Sequence, residues 1–196
     1  MKPLRLILLL GVLAIMSLPV TGSQAQESSV KEFVITDSLR DVETQIATFL
    51  QEQFKLSTSF QVINNNPDDL AVAVRIAETP QQSVPELSVR IDTRVISRQN
   101  SDQAPAVQVI SIASAANVQI KENKELEALR MLNAVNAQTV PAHAYLAGRQ
   151  IVVSNNQLLT PDAALSADRF GIVFINVLRT WPALLKALRQ QELLDE

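Results

Sequence analysis

Apolar residues recur at helical spacing early in the chain. Leu39, Val42, Ile46, Phe49, Leu50 and Phe54 form one stripe. Asp37 or Ser38 supplies an N-cap oxygen, and Asp41 and Glu43 suit the positive start of a helix, so residues 38–54 are predicted to form a first amphipathic helix. The period then changes to two. Residues 57–63 are β-rich, Asn64, Asn65, Asn66, Pro67, Asp68 and Asp69 form a dense turn signal, and Leu70, Val72, Val74 and Ile76 alternate with smaller residues, which predicts a hairpin. After Pro80 and Pro85, Leu87, Val89, Ile91, Thr93 and Val95 point one way while Arg90, Asp92, Arg94 and Arg98 point the other, as in a half-buried strand. Residues 107–115 make a fourth apolar stretch with both faces at least partly covered.

Leu126, Leu129, Leu132 and Val135 share a stripe in a segment dominated by Glu, Lys, Ala and Leu, which predicts a second helix over residues 121–136. Asn136 is its expected C-cap, because Asn tolerates the left-handed conformation. Two short strands, 142–146 and 150–154, flank Ala147, Gly148 and Arg149. Thr160 and Pro161 start a last helix, which Ser166 restarts or extends, and the helix runs to the chain end. The order is α-β-β-β-β-α-β-β-α. Strands clustered between helices imply a single α+β domain, a mainly antiparallel sheet with helices packed on one face.

The N-terminus changes where this domain is expected to work. Lys2 and Arg5 precede an apolar run from Leu6 to Met16, followed by small residues ending in Ser23, Gln24 and Ala25, the pattern of a secretory signal peptide over residues 1–25. The apolar run is shorter than the roughly 20 residues of a spanning helix, so cleavage is expected. Retention of the leader would instead give an envelope factor anchored at the membrane. Residues 26–37 read as a flexible N-terminal arm, and residues 38–196 as the domain. The exported protein is assigned to the periplasm or the medium, with no stable membrane insertion once the leader is gone.

Without Lys2 and Arg5, 15 basic residues face 20 acidic ones, a net charge of −5. That balance, and the lack of any Lys/Arg run, argues against nucleic acid as a partner. Six Phe, one Tyr and one Trp offer no stacking platform. The chain has no Cys, which rules out disulfides, thiol catalysis and a lipidated N-terminal cysteine.

Glu125, Leu126, Glu127, Ala128, Leu129, Arg130, Met131, Leu132, Asn133, Ala134, Val135 and Asn136, followed by a two-strand hairpin and a long apolar helix, resemble the YbjN family over residues 121–190. Asn133 and Asn136 stand where that family often has asparagines at the end of its middle helix. Its fold is similar to the dimeric chaperones of type III secretion. The resemblance implies a non-enzymatic, chaperone-like binding module that forms a homodimer, and it brings no catalytic residues. The leader is a departure, because the familiar chaperones work inside the cell.

Chemistry-bearing residues are sparse. His143 is the only histidine, which precludes a multi-histidine metal site. It alternates with Tyr145 on one strand face, and the alternative to a binding module is a small exported hydrolase or metal-assisted enzyme using His143 and nearby carboxylates. A serine nucleophile would need a glycine-rich elbow, yet the four glycines are isolated at positions 11, 22, 148 and 171. Asp68 and Asp69, or Glu122, Glu125 and Glu127, are read as turn and helix-start acids. The oxygens of residues 64–69 suit a hard cation but lack the alternating ligands and distal Glu of an EF-hand. No catalytic residue, metal or cofactor is assigned.

Two surfaces are candidates for binding protein. Arg75, Arg90, Arg94 and Arg98 are expected on one polar sheet face, suited to a carboxylate-rich partner, with Glu86 and Asp92 between them. Residues 170–178, with Phe170, Ile172, Val173, Ile175 and Val177, are apolar on nearly every side of a helix. One side must pack on the sheet. The other needs a second cover, either this domain's own helices or another protomer, which makes a homodimer the expected assembly. Gly171 would permit close helix approach.

Overall fold

The computed structural model describes residues 29–34, 39–54, 60–62, 71–78, 84–97, 107–137, 142–160 and 162–195. The leader at residues 1–25, the turn acids Asp68 and Asp69, and Arg98 lie outside them. The elements run β1 (Glu32–Phe33), α1 (Leu39–Phe54), β2 (Phe60–Val62), β3 (Ala71–Ile76), β4 (Leu87–Ser97), β5 (Val107–Ile120), α2 (Glu125–Asn136), β6 (His143–Ala147), β7 (Gln150–Leu159), β8 (Leu165–Ser166), α3 (Ala167–Gln190) and β9 (Leu194–Asp195). The fold class is α+β.

The main sheet has the order β2-β3-β4-β5-β7-β6 and every pairing is antiparallel, with β9 added beside the end of β5. Register determines what each face carries. Val74, Val89, Ser114 and Val153 are cross-strand partners on one face, as are Val72, Ile91 and Ile112, and all are buried. The next positions along β4 are Ser88, Arg90, Asp92 and Arg94, which point the other way and are exposed or half-buried. α1 and α3 lie on the first face. Glu43 of α1 reaches Thr93 there, accepting 2.8 Å from Thr93 Oγ1, and Trp181 of α3 reaches Ser114. The opposite face carries no described helix.

Several boundaries differ from the sequence expectation, for local physical reasons. Phe33, expected in a mobile arm, is fully buried and pairs with Leu165. Its ring meets Phe49 and Phe170 edge-on at 6.0 and 5.2 Å between centroids, so this aromatic, with half-buried Val30 also packed on the core, anchors the segment. The packed domain therefore begins before Leu39. α2 starts at Glu125 rather than near Lys121, because a turn with Asn123 at φ 65° intervenes. Its C-cap is Ala137 in a right-handed conformation, not Asn136. β5 and β7 are longer than expected: β5 continues to Ile120, which is buried and pairs with Leu194 of β9, and β7 continues through Asn155, a polar residue buried opposite Ile112. The last helix begins after Ser166, not at Thr160, and ends at Gln190. Glu192 at φ 54° then turns the chain into β9.

Candidate protein-binding surfaces

α3 follows from a cap and a stripe. Ser166 Oγ accepts from Arg169 N at 3.2 Å, and Asp168 stands in the first turn. Phe170, Val173, Phe174, Val177, Trp181, Leu184, Leu185 and Leu188 then recur at three- and four-residue steps, and all are buried. Phe170 meets Phe49 of α1 at 5.9 Å and Phe174 meets Phe54 at 5.9 Å and Phe60 at 6.0 Å, measured between ring centroids. α1 and its aromatic row therefore supply a second cover for the apolar run. Gly171 makes the approach close, because a Cβ at that position would stand 3.3 Å from Phe49 Cζ. Of the five candidate residues here, Phe170, Val173 and Val177 belong to the domain's own core, Ile175 is half-buried, and Ile172 is 61% exposed. α3 is also long and apolar enough to cross a membrane by length and composition, although its apolar stripe is in the core.

Register puts Arg75, Arg90 and Arg94 on the helix-free face. Arg75 pairs with Ser88, and Arg90 with Ala73 and Ala113, while Arg94 lies four residues further along β4. Two of the three guanidinium groups have internal partners. Arg75 meets Glu86 at 2.5 Å and Arg90 meets Asp92 at 2.9 Å, in exposed pairs. The hydrogen bond that Arg75 donates to Glu86, and then the charge of that carboxylate, hold the Arg75 pKa above its ordinary value. Such pairs are screened by salt and lower the net field of this face.

His143 and Tyr145 are exposed on the same helix-free face, opposite Ser154 and Val152 of β7. Glu122 and Glu127 are exposed near the start of α2, and Glu127 accepts from Lys124 Nζ at 2.8 Å. Among the described residues no three His, Cys, Asp or Glu side chains cluster in a way that would hold a metal ion.

The structure adds a surface that the sequence reading treated as core. Leu126 is 62% and Leu129 41% exposed, whereas Leu132 is buried. Steps of three residues advance 300° around a helix of 3.6 residues per turn, so Leu126, Leu129, Leu132 and Val135 drift across half its circumference. They cannot all face inward. Once Ala128 and Leu132 fix the buried side of α2, Leu126 and Leu129 turn to solvent. On another side of α2 an open groove of about 470 Å³ runs between this helix and the end of α3, lined by Glu127, Arg130, Met131, Ala187, Gln190 and Leu193 among others.

No protein-family model matches the chain, and no curated protein matches it. Among solved structures the chain is similar to YbjN from E. coli, with a TM-score of 0.46 and 13% identity over 82% of this chain and 98% of that one. The strand order and registers above define the α+β fold class on their own.

Proposed function

We propose that this protein is an exported, non-catalytic, chaperone-like module that holds another protein, or a second copy of itself, through apolar side chains left outside its core. The observation that carries the reading is the exposure of large apolar groups on regular elements: Leu126 and Leu129 on α2, Ile172 on α3, and Leu158 and Tyr145 on the β6–β7 hairpin. Scattered exposed apolar residues are ordinary on a soluble protein. Leu126 and Leu129 are different because they are adjacent, one turn apart on a single helix. The leader pattern and the acidic balance support export and a protein partner rather than nucleic acid.

Site-specific photo-crosslinking tests the reading. A crosslinking residue placed at Leu126, Leu129, Leu158 or Ile172 is expected to give a discrete adduct with a protein or with the chain itself, and one placed at the exposed, polar Arg179 is not. Failure of every apolar position to give an adduct, with the protein present and folded, overturns it. Two controls separate the alternatives. The purified exported protein is expected to begin near Gln26, whereas an intact Met1 in the membrane fraction would indicate an anchored envelope factor. The His143→Ala variant is expected to keep fold, adducts and cellular function, and loss of function with the other two intact would favour an enzyme.

A further inference from the structure

We infer that the helix-free face of the sheet receives an amphipathic helix of another protein, laid along β5 and β7 with its carboxylates toward β4. This rests on the binding-module reading and names a surface and a kind of partner for it. An antiparallel strand with one solvated face alternates apolar and polar residues. The outward positions of β5 are instead Val107, Val109, Ser111, Ala113 and Ala115, and those of β7 beside it are Val152, Ser154, Asn156 and Leu158. None is charged. Val109 and Val152 are buried although no described helix lies over them, and Leu158 is 60% exposed. The inner face of these strands has its cover in α3, whereas the described residues supply none for the outer face.

The neighbouring strands give this surface two unlike walls. Register places Arg90 opposite Ala113 and Arg94 opposite Val109 on the β4 side, with Arg75 one strand further out. On the β6 side His143 stands opposite Ser154 and Tyr145 opposite Val152. β4 and β6 are three strand spacings apart, about 14 Å. That width admits an α-helix, about 10–12 Å across, and would leave a single extended strand with open space beside it. From Val109 to Ala115 the floor is about 20 Å long, the span of roughly 14 helical residues. Charge sets the chemistry of one flank. Three arginines against Glu86 and Asp92 make the β3–β4 side positive on a chain whose net charge is −3. Arg94 is exposed and has no ion-pair partner among the described residues. A helix with carboxylates along that flank, an apolar stripe below and an uncharged side toward Tyr145 complements the whole face.

Two synthetic amphipathic peptides, each about 18 residues and five helical turns long, test the arrangement. They share one apolar stripe and differ only in the flanking positions, Glu in one and Lys in the other. In an NMR titration of the isotope-labelled protein, the Glu peptide is expected to shift the amides of residues 109–115 and 152–158. It should bind about tenfold more tightly than the Lys peptide, roughly 1.4 kcal/mol. The Arg90→Glu, Arg94→Glu double variant is expected to reverse that order with unchanged circular dichroism, a reversal that a merely structural role would not give. Ala113→Trp, which fills the floor from the solvent side, is expected to keep the fold and lose both peptides. Equal affinities, shifts confined to α2, or no binding of either peptide overturns the arrangement. Sheet-face amides that respond to protein concentration alone also overturn it, because a second copy is then the occupant. Adducts from Leu126 or Leu129 in a protein that binds neither peptide would leave the binding-module reading standing while this one fails.

Discussion

Trp181 Nε1 donates a hydrogen bond to Ser114 Oγ at 2.8 Å, joining α3 to the middle of the sheet across 67 residues of sequence. Ser114 in turn donates to the Val153 carbonyl at 3.2 Å. Both side chains are fully buried, so one hydroxyl orients the largest core residue against β5 and β7. Tryptophan adds much apolar area to a core only if its N–H finds an acceptor. Here the acceptor is a serine that interrupts an otherwise apolar inward row.

Ser114→Ala is expected to cost about 1–3 kcal/mol, because it strands the buried indole N–H. Trp181 is the chain's only tryptophan, so its fluorescence during urea unfolding reads the midpoint directly. With Trp181→Phe, followed by circular dichroism, the added effect of Ser114→Ala should shrink. Fully additive losses would mean that the bond carries little energy.

Asn136 closes an exposed strand edge. Its Nδ2 donates to the Ala144 carbonyl at 2.8 Å, and its Oδ1 accepts from Ala144 N at 2.7 Å. β6 is the last strand of the sheet, and an uncovered edge is a template for pairing with another chain. Asn136→Asp places an acceptor opposite the Ala144 carbonyl and is expected to destabilise by roughly 1–3 kcal/mol. Faster hydrogen exchange at the Ala144 amide is expected in Asn136→Ala, and unchanged protection there would sink the edge-closing role.

The main elements were legible because their periodicity agrees with their burial. Leu39 to Phe54 repeats at helical steps, and Leu87 to Val95 alternates against Arg90 and Arg94. Illegible features depend on contacts distant in sequence. Nothing local marks Phe33 as a core residue, since its partners Phe49 and Phe170 lie 16 and 137 positions away. Asn136 has the chemistry of a helix C-cap and is used instead to cap a strand. Glu43 has the position of a helix-start acid, yet it is buried against Thr93, 50 residues on. Apolarity on all sides of residues 170–178 correctly signals two covers. It does not say that α1 is one of them, while the exposed patch on α2 was hidden in a stripe whose three-residue spacing already implied drift.

Gly171 should discriminate by size. Ala there gains about 1 kcal/mol of helix propensity, but its Cβ would press on the Phe49 ring at 3.3 Å, so the two effects are expected to offset and leave the melting temperature nearly unchanged. Gly171→Leu must displace Phe49 from a packed aromatic cluster, and overpacking of this kind typically costs about 1–3 kcal/mol. A leucine variant as stable as the unmodified protein would show that α1 and α3 are not held at this distance.

The arginine face should matter for encounter more than for folding. Arg75→Ala and Arg90→Ala each remove one exposed ion pair, and such pairs are screened within about 10 Å at 0.1 M salt. Urea midpoints are expected to be unchanged in both variants. If a carboxylate-rich partner uses this face, its association rate should fall with added salt in the unmodified protein and depend less on salt in an Arg90→Ala, Arg94→Ala variant. Identical salt dependence would remove the face from binding.

Arg149 holds the chain end to the sheet. Its Nε donates to the Ile120 carbonyl at 2.6 Å and its Nη2 meets Asp195 at 2.8 Å, while the Ile120 and Lys121 amides donate to Arg149 O and Leu193 O. The side chain thus spans the end of β5 and β9, and it does so with two donors fixed in one plane. Lysine offers a single charged point in place of that fork. Arg149→Lys is therefore expected to behave like Arg149→Ala, with faster hydrogen exchange confined to residues 193–195 and the end of β5. Asp195→Asn should have a smaller effect, because the bond to Ile120 persists. The global unfolding midpoint is expected to move little in all three, since β9 is only two residues long and terminal segments open locally at low free energy. Protection unchanged in Arg149→Ala would mean that burial of Leu193 and Leu194, rather than the arginine, retains the strand.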